Sequence, residues 1–282
     1  MHFKYFDAHT HIHFPAYEKD RDEVISHAIE QEVGMVTVGT TLKTSVEAVE
    51  VAKSFLNIWA AVGVHPVHAS EAFHDDDEMG KSAHGEMRHP AETFDKEAFH
   101  KLAEESRVVA IGECGLDYFR LEGDGKKEKE EQRKLFIEQI RFAHAVKKPL
   151  MIHCRSAFPD LLSILEEEKK YLAADAGIIH FFSGTLHESE QLLVLGFSFT
   201  FGGVLTFTPD YDAVVRATPI DRILSETDAP YVAPTPYRGK RNQPAYVTYI
   251  TKRLSELKNI PEPEMAGQIL ANAERMFSIR LS

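Results

Sequence analysis

The stretch Tyr5-Phe6-Asp7-Ala8-His9-Thr10-His11 reads as a β-strand that finishes in two histidines. Residues two apart on a strand share a face, so His9 and His11 point the same way. Working outward, short apolar, β-branched runs recur at Gly34–Gly39, Ile58–Val64, Val108–Glu113, Leu150–His153, Gly177–Phe182, Ser198–Val204 and Arg222–Glu226. Helical patterns lie between them, at Glu18–Glu32, Leu42–Phe55, Lys129–Lys147, Pro159–Lys169 and Ser189–Leu195. Strands alternating with helices call for a parallel sheet. Repeated from Tyr5 to Glu226, that rhythm closes most economically as a (β/α)8 TIM barrel, with an open doubly wound sheet as the alternative. Pro244–Leu257 and Pro261–Ile279 read as extra C-terminal helices. The whole span 1–282 is expected to form one barrel domain.

Two segments break the rhythm. Ala69–Pro90, which carries Asp75, Asp76 and Asp77 and three unevenly spaced histidines, His74, His84 and His89, reads as a long, solvated loop insertion. Leu121–Glu131, rich in Glu, Lys and Gly, reads as a second loop.

Composition narrows the function. Hydrophobic residues make up 43% and charged residues 27%, enough to bury a sizeable core and far from the profile of a disordered chain. No run approaches the roughly 18 apolar residues of a membrane span, and the first residues lack the apolar stretch of a signal peptide, so the expected location is cytoplasmic. Cys114 and Cys154 are too few for a disulfide framework. Each neighbours a candidate ligand, and alternation turns it to the opposite face, which makes both packing residues. With 44 acidic against 32 basic residues the net charge is −12, which opposes bulk attraction to polyanions and counts against a non-specific nucleic-acid-binding module.

The chemistry gathers at strand ends. His9 and His11 end the first strand, Glu113 the fourth, His153 the fifth, His180 the sixth and Asp228 follows the eighth. In a barrel these are one rim, the rim where active sites form. Burying four imidazoles and two carboxylates together without a cation would be costly. The expectation is therefore a centre for divalent metal ions, zinc, magnesium or manganese, since histidine with carboxylate suits several.

The ordered set Asp7-Ala8-His9-Thr10-His11, Gly63-Val64-His65-Pro66, Ile111-Gly112-Glu113-Cys114-Gly115-Leu116-Asp117-Tyr118, Pro149-Leu150-Met151-Ile152-His153-Cys154-Arg155, His180-Phe181-Phe182-Ser183-Gly184 and Glu226-Thr227-Asp228-Ala229-Pro230 resembles the TatD-related metal-dependent hydrolases, among the amidohydrolase-like barrels. The resemblance covers nearly the whole chain. It departs in the length of Ala69–Pro90 and in His68, one place later than the family's second histidine. It implies that His9, His11 and Asp228 hold one metal ion, that His153 and His180 hold another, and that Glu113 bridges them. A shared water attacks the substrate, with Asp228 as general base beside Glu113. The substrate implied is DNA or a small phosphodiester, and no obligate protein partner is expected. A small amide, ester or lactone is the alternative, as is a metal-holding scaffold without catalysis. His65 and Arg155 sit at the same rim as candidate substrate contacts, and Arg155 could instead pair with a loop carboxylate. Arg238, Lys240 and Arg241 form the one dense basic patch near it, either a phosphate-steering site or a solvated turn.

Overall fold

The computed structural model describes residues 2–73, 78, 88–119, 121 and 124–281. β1 (Tyr5–Thr10), β2 (Val33–Val38) and β3 (Ile58–Val62) are continuous buried runs, as strands covered on both faces must be. β4 (Ala72–Phe73) and β5 (Arg88–His89) pair antiparallel, Ala72 with His89 and Phe73 with Arg88. β6 (Val108–Asp117), β7 (Leu150–Arg155), β8 (Gly177–Ile179), β9 (Phe197–Phe201) and β10 (Ile223–Ser225) complete the main sheet. Its strand order is β1-β2-β3-β6-β7-β8-β9-β10. A parallel bridge between Thr10 and Ala229 joins the last strand's extension to the first, and the Ser225 hydroxyl donates to Phe6 O (2.8 Å) across the same seam. The sheet is thus an eight-stranded parallel barrel of the (β/α)8 type.

Helices α1 (Arg21–Glu30), α2 (Leu42–Ser54), α3 (Lys96–Ala103), α4 (Lys126–Val146), α5 (Phe158–Glu167), α6 (Leu186–Val194) and α7 (Asp212–Ala217) lie between the strands, and α8 (Val247–Lys258) and α9 (Glu262–Phe277) follow them. Their starts have local causes. The Thr41 hydroxyl caps α2 by accepting from Thr44 N, and Thr185 with Glu188 forms a reciprocal capping box on α6. Among the described residues no helix is long and apolar enough to cross a membrane.

All eight expected barrel strands are present, and two expectations need correction. Leu121–Glu131 is not loop throughout: α4 begins at Lys126, entered from Gly125 at φ 63, and the Lys127–Glu131 ion pair supports a helical turn in this polar segment. Nor is Ala69–Pro90 loop throughout, because it opens and closes on the β4–β5 ladder and Ala69 itself ends a 3-10 turn that starts at Pro66. Of its expected histidines, His74 and His84, like Asp75, Asp76 and Asp77, lie outside the described residues. The short helices α3 and α7 were not foreseen.

β6 also runs four residues past its expected end. Glycine permits this: Gly115, at φ 131, lies so close to β7 that a Cβ there would meet the carbonyl of His153. The register between β6 and β7 shifts between Ile111 and Cys114 and then continues to Asp117 opposite Arg155. Both strands therefore carry ligand-type residues further toward the C-terminal rim.

Candidate metal centre

The first group of donors comes from the barrel seam. His9 and His11 are buried, with their Nε2 atoms 3.2 Å apart. The His11 Nδ1–H is directed at Val38 O (2.7 Å), which leaves the Nε2 lone pair facing inward. Asp228 adopts a left-handed backbone (φ 54), a region that Asp tolerates better than most residues, and its N–H donates to His9 O (2.8 Å). That turn carries its Oδ1 to 3.7 Å from His9 Nε2 and 3.4 Å from His11 Nε2.

The second group comes from β6, β7 and β8. Glu113 Oε1 lies 3.0 Å from His153 Nδ1 and 2.9 Å from His180 Nε2, and those two nitrogens are 3.1 Å apart. The other carboxylate oxygen of Glu113, Oε2, faces the first group instead, 3.4 Å from His9 Nε2 and 3.8 Å from His11 Nε2. Two ligands bound at about 2.0–2.2 Å to one tetrahedral ion sit roughly 3.4 Å apart. Both groups fit that spacing, with one Glu113 oxygen offered to each, so the donor set suits two divalent ions. Triads that converge within metal-binding reach include His9, His11 and Asp228, and His9, Glu113 and His180.

A third triad, His65, Asp117 and His153, also converges. It suits a metal less well. His65 Nδ1 accepts a hydrogen bond from Val67 N (3.2 Å), which places the ring proton on Nε2, 3.3 Å from Glu113 Oε1. A protonated Nε2 donates and does not ligate. His153 Nε2 meets Asp117 Oδ2 at 2.9 Å, the arrangement in which a carboxylate fixes a ligating imidazole's tautomer and leaves Nδ1 for the ion. On the other side, His180 Nδ1 faces Glu226 Oε1 at 3.7 Å, and neither atom has a hydrogen-bond partner. Glu226 is anchored through its other oxygen by the Thr200 hydroxyl (2.5 Å).

Charge follows this geometry. Burial alone would raise the Glu113 carboxyl, but the His65, His180 and His9 rings and the His153 hydrogen bond hold it well below the usual carboxylate range. Asp228 behaves alike: burial opposes ionisation, and the His11 hydrogen bond with the charges of His9 and His180 prevails. Burial lowers His9, helped by the neighbouring His180. Against the effect of burial, Glu113 and Glu226 raise His180, and the hydrogen bonds to Asp117 and Glu113 raise His153. The centre sets ionised carboxylates among buried imidazoles, a donor set that a divalent cation would suit.

His11, Glu113, His153, His180 and Asp228 line the floor of a cleft of about 1050 Å³, whose walls include Phe14, Phe119, Arg155, Phe181, Tyr211 and Tyr231. His65 is at the floor and Arg155 on the wall, as expected of substrate contacts, although the Arg155 guanidinium lies 3.5 Å over the Phe119 ring and pairs with no loop carboxylate among the described residues. The basic patch is not brought to the cleft. Arg241 forms a two-pronged pair with Asp20 (3.0 and 2.5 Å) and donates to Ala16 O, which ties the loop after β10 to the loop before α1. Arg238 stacks over Phe207 (3.6 Å), and Lys240 lies over Tyr237 (5.9 Å). Of the two readings left open for Arg241, the structural one is favoured by Asp20, which occupies both prongs of its guanidinium. Both cysteines are buried and free, with the Cys114 sulfur directed toward Met151 O (3.5 Å) in the core.

Three residues have supporting roles that the sequence did not assign, although Asp7 and Glu226 stand within the motifs quoted above. Asp7 is fully buried and accepts from Thr227 N (2.8 Å) and the Thr227 hydroxyl (2.5 Å), which locks β1 to the segment bearing Asp228. Glu226 stands two residues before Asp228, the spacing that would have marked it. Glu78, from within the Ala69–Pro90 excursion, reaches back to hydrogen-bond Thr40 and His68, the latter at 3.1 Å. No local spacing announces that contact.

A barrel whose C-terminal rim gathers four imidazoles and two carboxylates in this way has the donor set of a metal-dependent hydrolase. The chain belongs to the TatD-related DNase family, whose profile matches residues 6–278. It is 36% identical over 277 residues to a Bacillus subtilis protein named as an uncharacterized metal-dependent hydrolase, YabD, covering 97% of this chain and 99% of that one. A protein of Erwinia tasmaniensis named a 3′-5′ ssDNA/RNA exonuclease, TatD, is 32% identical over 286 residues, covering 97% of this chain and all (100%) of that one. Among solved structures, the Escherichia coli K12 TatD homologue YJJV superposes with a TM-score of 0.83 at 26% identity, over 99% of this chain and 100% of that one.

Proposed function

We propose that this hydrolase cleaves phosphodiester bonds in single-stranded nucleic acid, DNA in the first instance, with His9, His11, Glu113, His153, His180 and Asp228 holding two divalent ions. The observation that carries the reading is the split of Glu113, one oxygen within 3.0 Å of the His153 and His180 donors and the other 3.4 Å from His9. When bound, two ions so bridged would lower the pKa of a water toward neutrality and offset charge on the attacking and leaving oxygens.

The protein's own groups supply the rest. Asp228 is the proton acceptor: its side chain keeps 17% exposure to the cleft, against 5% for Glu113, and it is held ionised. Glu113 faces one donor group with each oxygen and would be shared between the two ions. His65, with its proton fixed on Nε2, donates to a phosphate oxygen. Asp117 holds the imidazole of His153 in orientation, and the Glu226 carboxylate, 3.7 Å from His180 Nδ1, acts on that ring through its charge. The net charge of −12 keeps a long duplex away, so a flexible strand is gripped locally in the cleft. The two free, buried cysteines suit a reducing cytoplasm.

The experiment is a panel of end-labelled single-stranded DNA, duplex DNA, a small phosphodiester and a lactone, each titrated with zinc, magnesium and manganese. The reading expects metal-dependent shortening of the single strand at the highest kcat/KM. Lactone turnover without cleavage of any phosphodiester would replace it with hydrolysis of a small uncharged ester.

A further inference from the structure

One wall of the cleft carries a feature that bond cleavage does not use. Phe119, just past the end of β6, is 49% exposed, and the Arg155 guanidinium at the end of β7 lies 3.5 Å over its ring. Both line the cleft. Arg133, Arg141, Arg241 and Arg253 are each paired with a carboxylate, whereas among the described residues no carboxylate pairs with Arg155. With its central carbon 3.5 Å from the ring centroid, at stacking distance, the guanidinium and the ring make a platform that is cationic and aromatic at once. That shape wastes the edge-on fork with which arginine grips a carboxylate or phosphate, and it offers a face instead.

The position is held on both sides. In the backbone register of β6 and β7 Asp117 stands opposite Arg155, Tyr118 N donates to Arg155 O (2.9 Å), and the Asp117 Oδ1 accepts from Phe119 N (2.9 Å). Arg155 stands two residues beyond His153 on one strand face, about 7 Å along the strand. The platform therefore lies close enough to the metal centre for the base adjoining a phosphate held there.

We infer that Phe119 and Arg155 form a stacking site for an unpaired nucleobase next to the scissile phosphodiester, and so set the preference for single strands. The inference rests on the phosphodiesterase reading above and adds the residues that recognise the substrate. Every base has a π-face, so the site tolerates sequence; a duplex has both faces of each base already stacked and cannot use it.

The test uses the metal-loaded protein and fluorescently labelled, cleavage-resistant phosphorothioate oligonucleotides of one length, either fully base-bearing or with abasic residues at the terminal positions. Anisotropy titrations should show the base-bearing strand bound about 5–150-fold tighter, the range that one base on an aromatic platform provides. Phe119→Leu, which keeps apolar bulk without a ring, should bring that ratio close to one, and Phe119→Tyr should restore it. Equal affinity of the unmodified protein for both strands would overturn the stacking site and leave the phosphodiesterase reading standing. So would a ratio that survives Phe119→Leu. Failure of both strands to bind at all would overturn both.

Discussion

Replacing Asp117 by asparagine separates the two halves of the metal centre. Each Asp117 carboxylate oxygen accepts from a different donor, Oδ2 from the His153 Nε2–H and Oδ1 from Phe119 N, both at 2.9 Å. Asparagine has a single acceptor oxygen and must leave one donor facing its amide NH2. If the backbone bond is kept, His153 loses the partner that fixes its tautomer and orientation. Losing such a contact typically costs 10–100-fold in metal affinity, which at about 1.4 kcal/mol per tenfold is about 1.4–2.8 kcal/mol. The loss should fall on one ion only, because His9, His11 and Asp228 make no contact with Asp117. Competition titration against a chelator of known affinity, followed by elemental analysis, should show one ion retained near its original affinity and the other weakened by that factor. Two ions bound with unchanged affinity, or both weakened together, would refute the division of the site.

Three further outcomes are expected. Asp228→Asn should retain both metals but lower kcat by about 10²–10⁴-fold, read by single-turnover cleavage; unchanged turnover at full metal content would place the base elsewhere. Arg241→Met should lower stability by no more than about 1 kcal/mol in urea unfolding, as a partly exposed pair does, and leave the KM for an oligonucleotide and its salt slope unchanged; a raised KM would return this residue to substrate binding. Glu78 is held at a pKa of about 2, since its contacts with His68 and Thr40 outweigh the opposing effect of burial. A folded value below the ordinary 4.5 means that this stability is present above pH 4.5 and is lost as pH falls toward 2. The advantage of the unmodified protein over Glu78→Gln should therefore shrink steadily below pH 4.5, and a difference independent of pH would show that the pair is not the cause.

The barrel was legible because its strands are buried on both faces, so that Ile58–Val62 stands out as an unbroken apolar run and Val33–Val38 as one broken only by Thr37. The candidate ligands were legible for a related reason: each ends such a run in a residue too polar to be there without a partner. What stayed hidden depends on tertiary return. Gly112 and Gly115 look like punctuation in sequence, yet in the fold they let β6 continue against β7. Glu78 is placed by a segment that leaves the barrel and comes back, and Arg241 owes its role to Asp20, 221 residues away in the chain. Arg155 was assigned to the right face, but its stacking on Phe119 needed the actual path of the chain after β6.

In the proposed centre six side chains hold two ions, with Glu113 shared between them. Crystals soaked in manganese and measured at a wavelength where manganese scatters anomalously test it directly. Two anomalous peaks about 3.5–4 Å apart are expected, one among His9, His11 and Asp228 and the other between His153 and His180, with a Glu113 oxygen on each. A single peak, or one seated between His65 and Asp117 with the Glu113 position empty of metal, would contradict it.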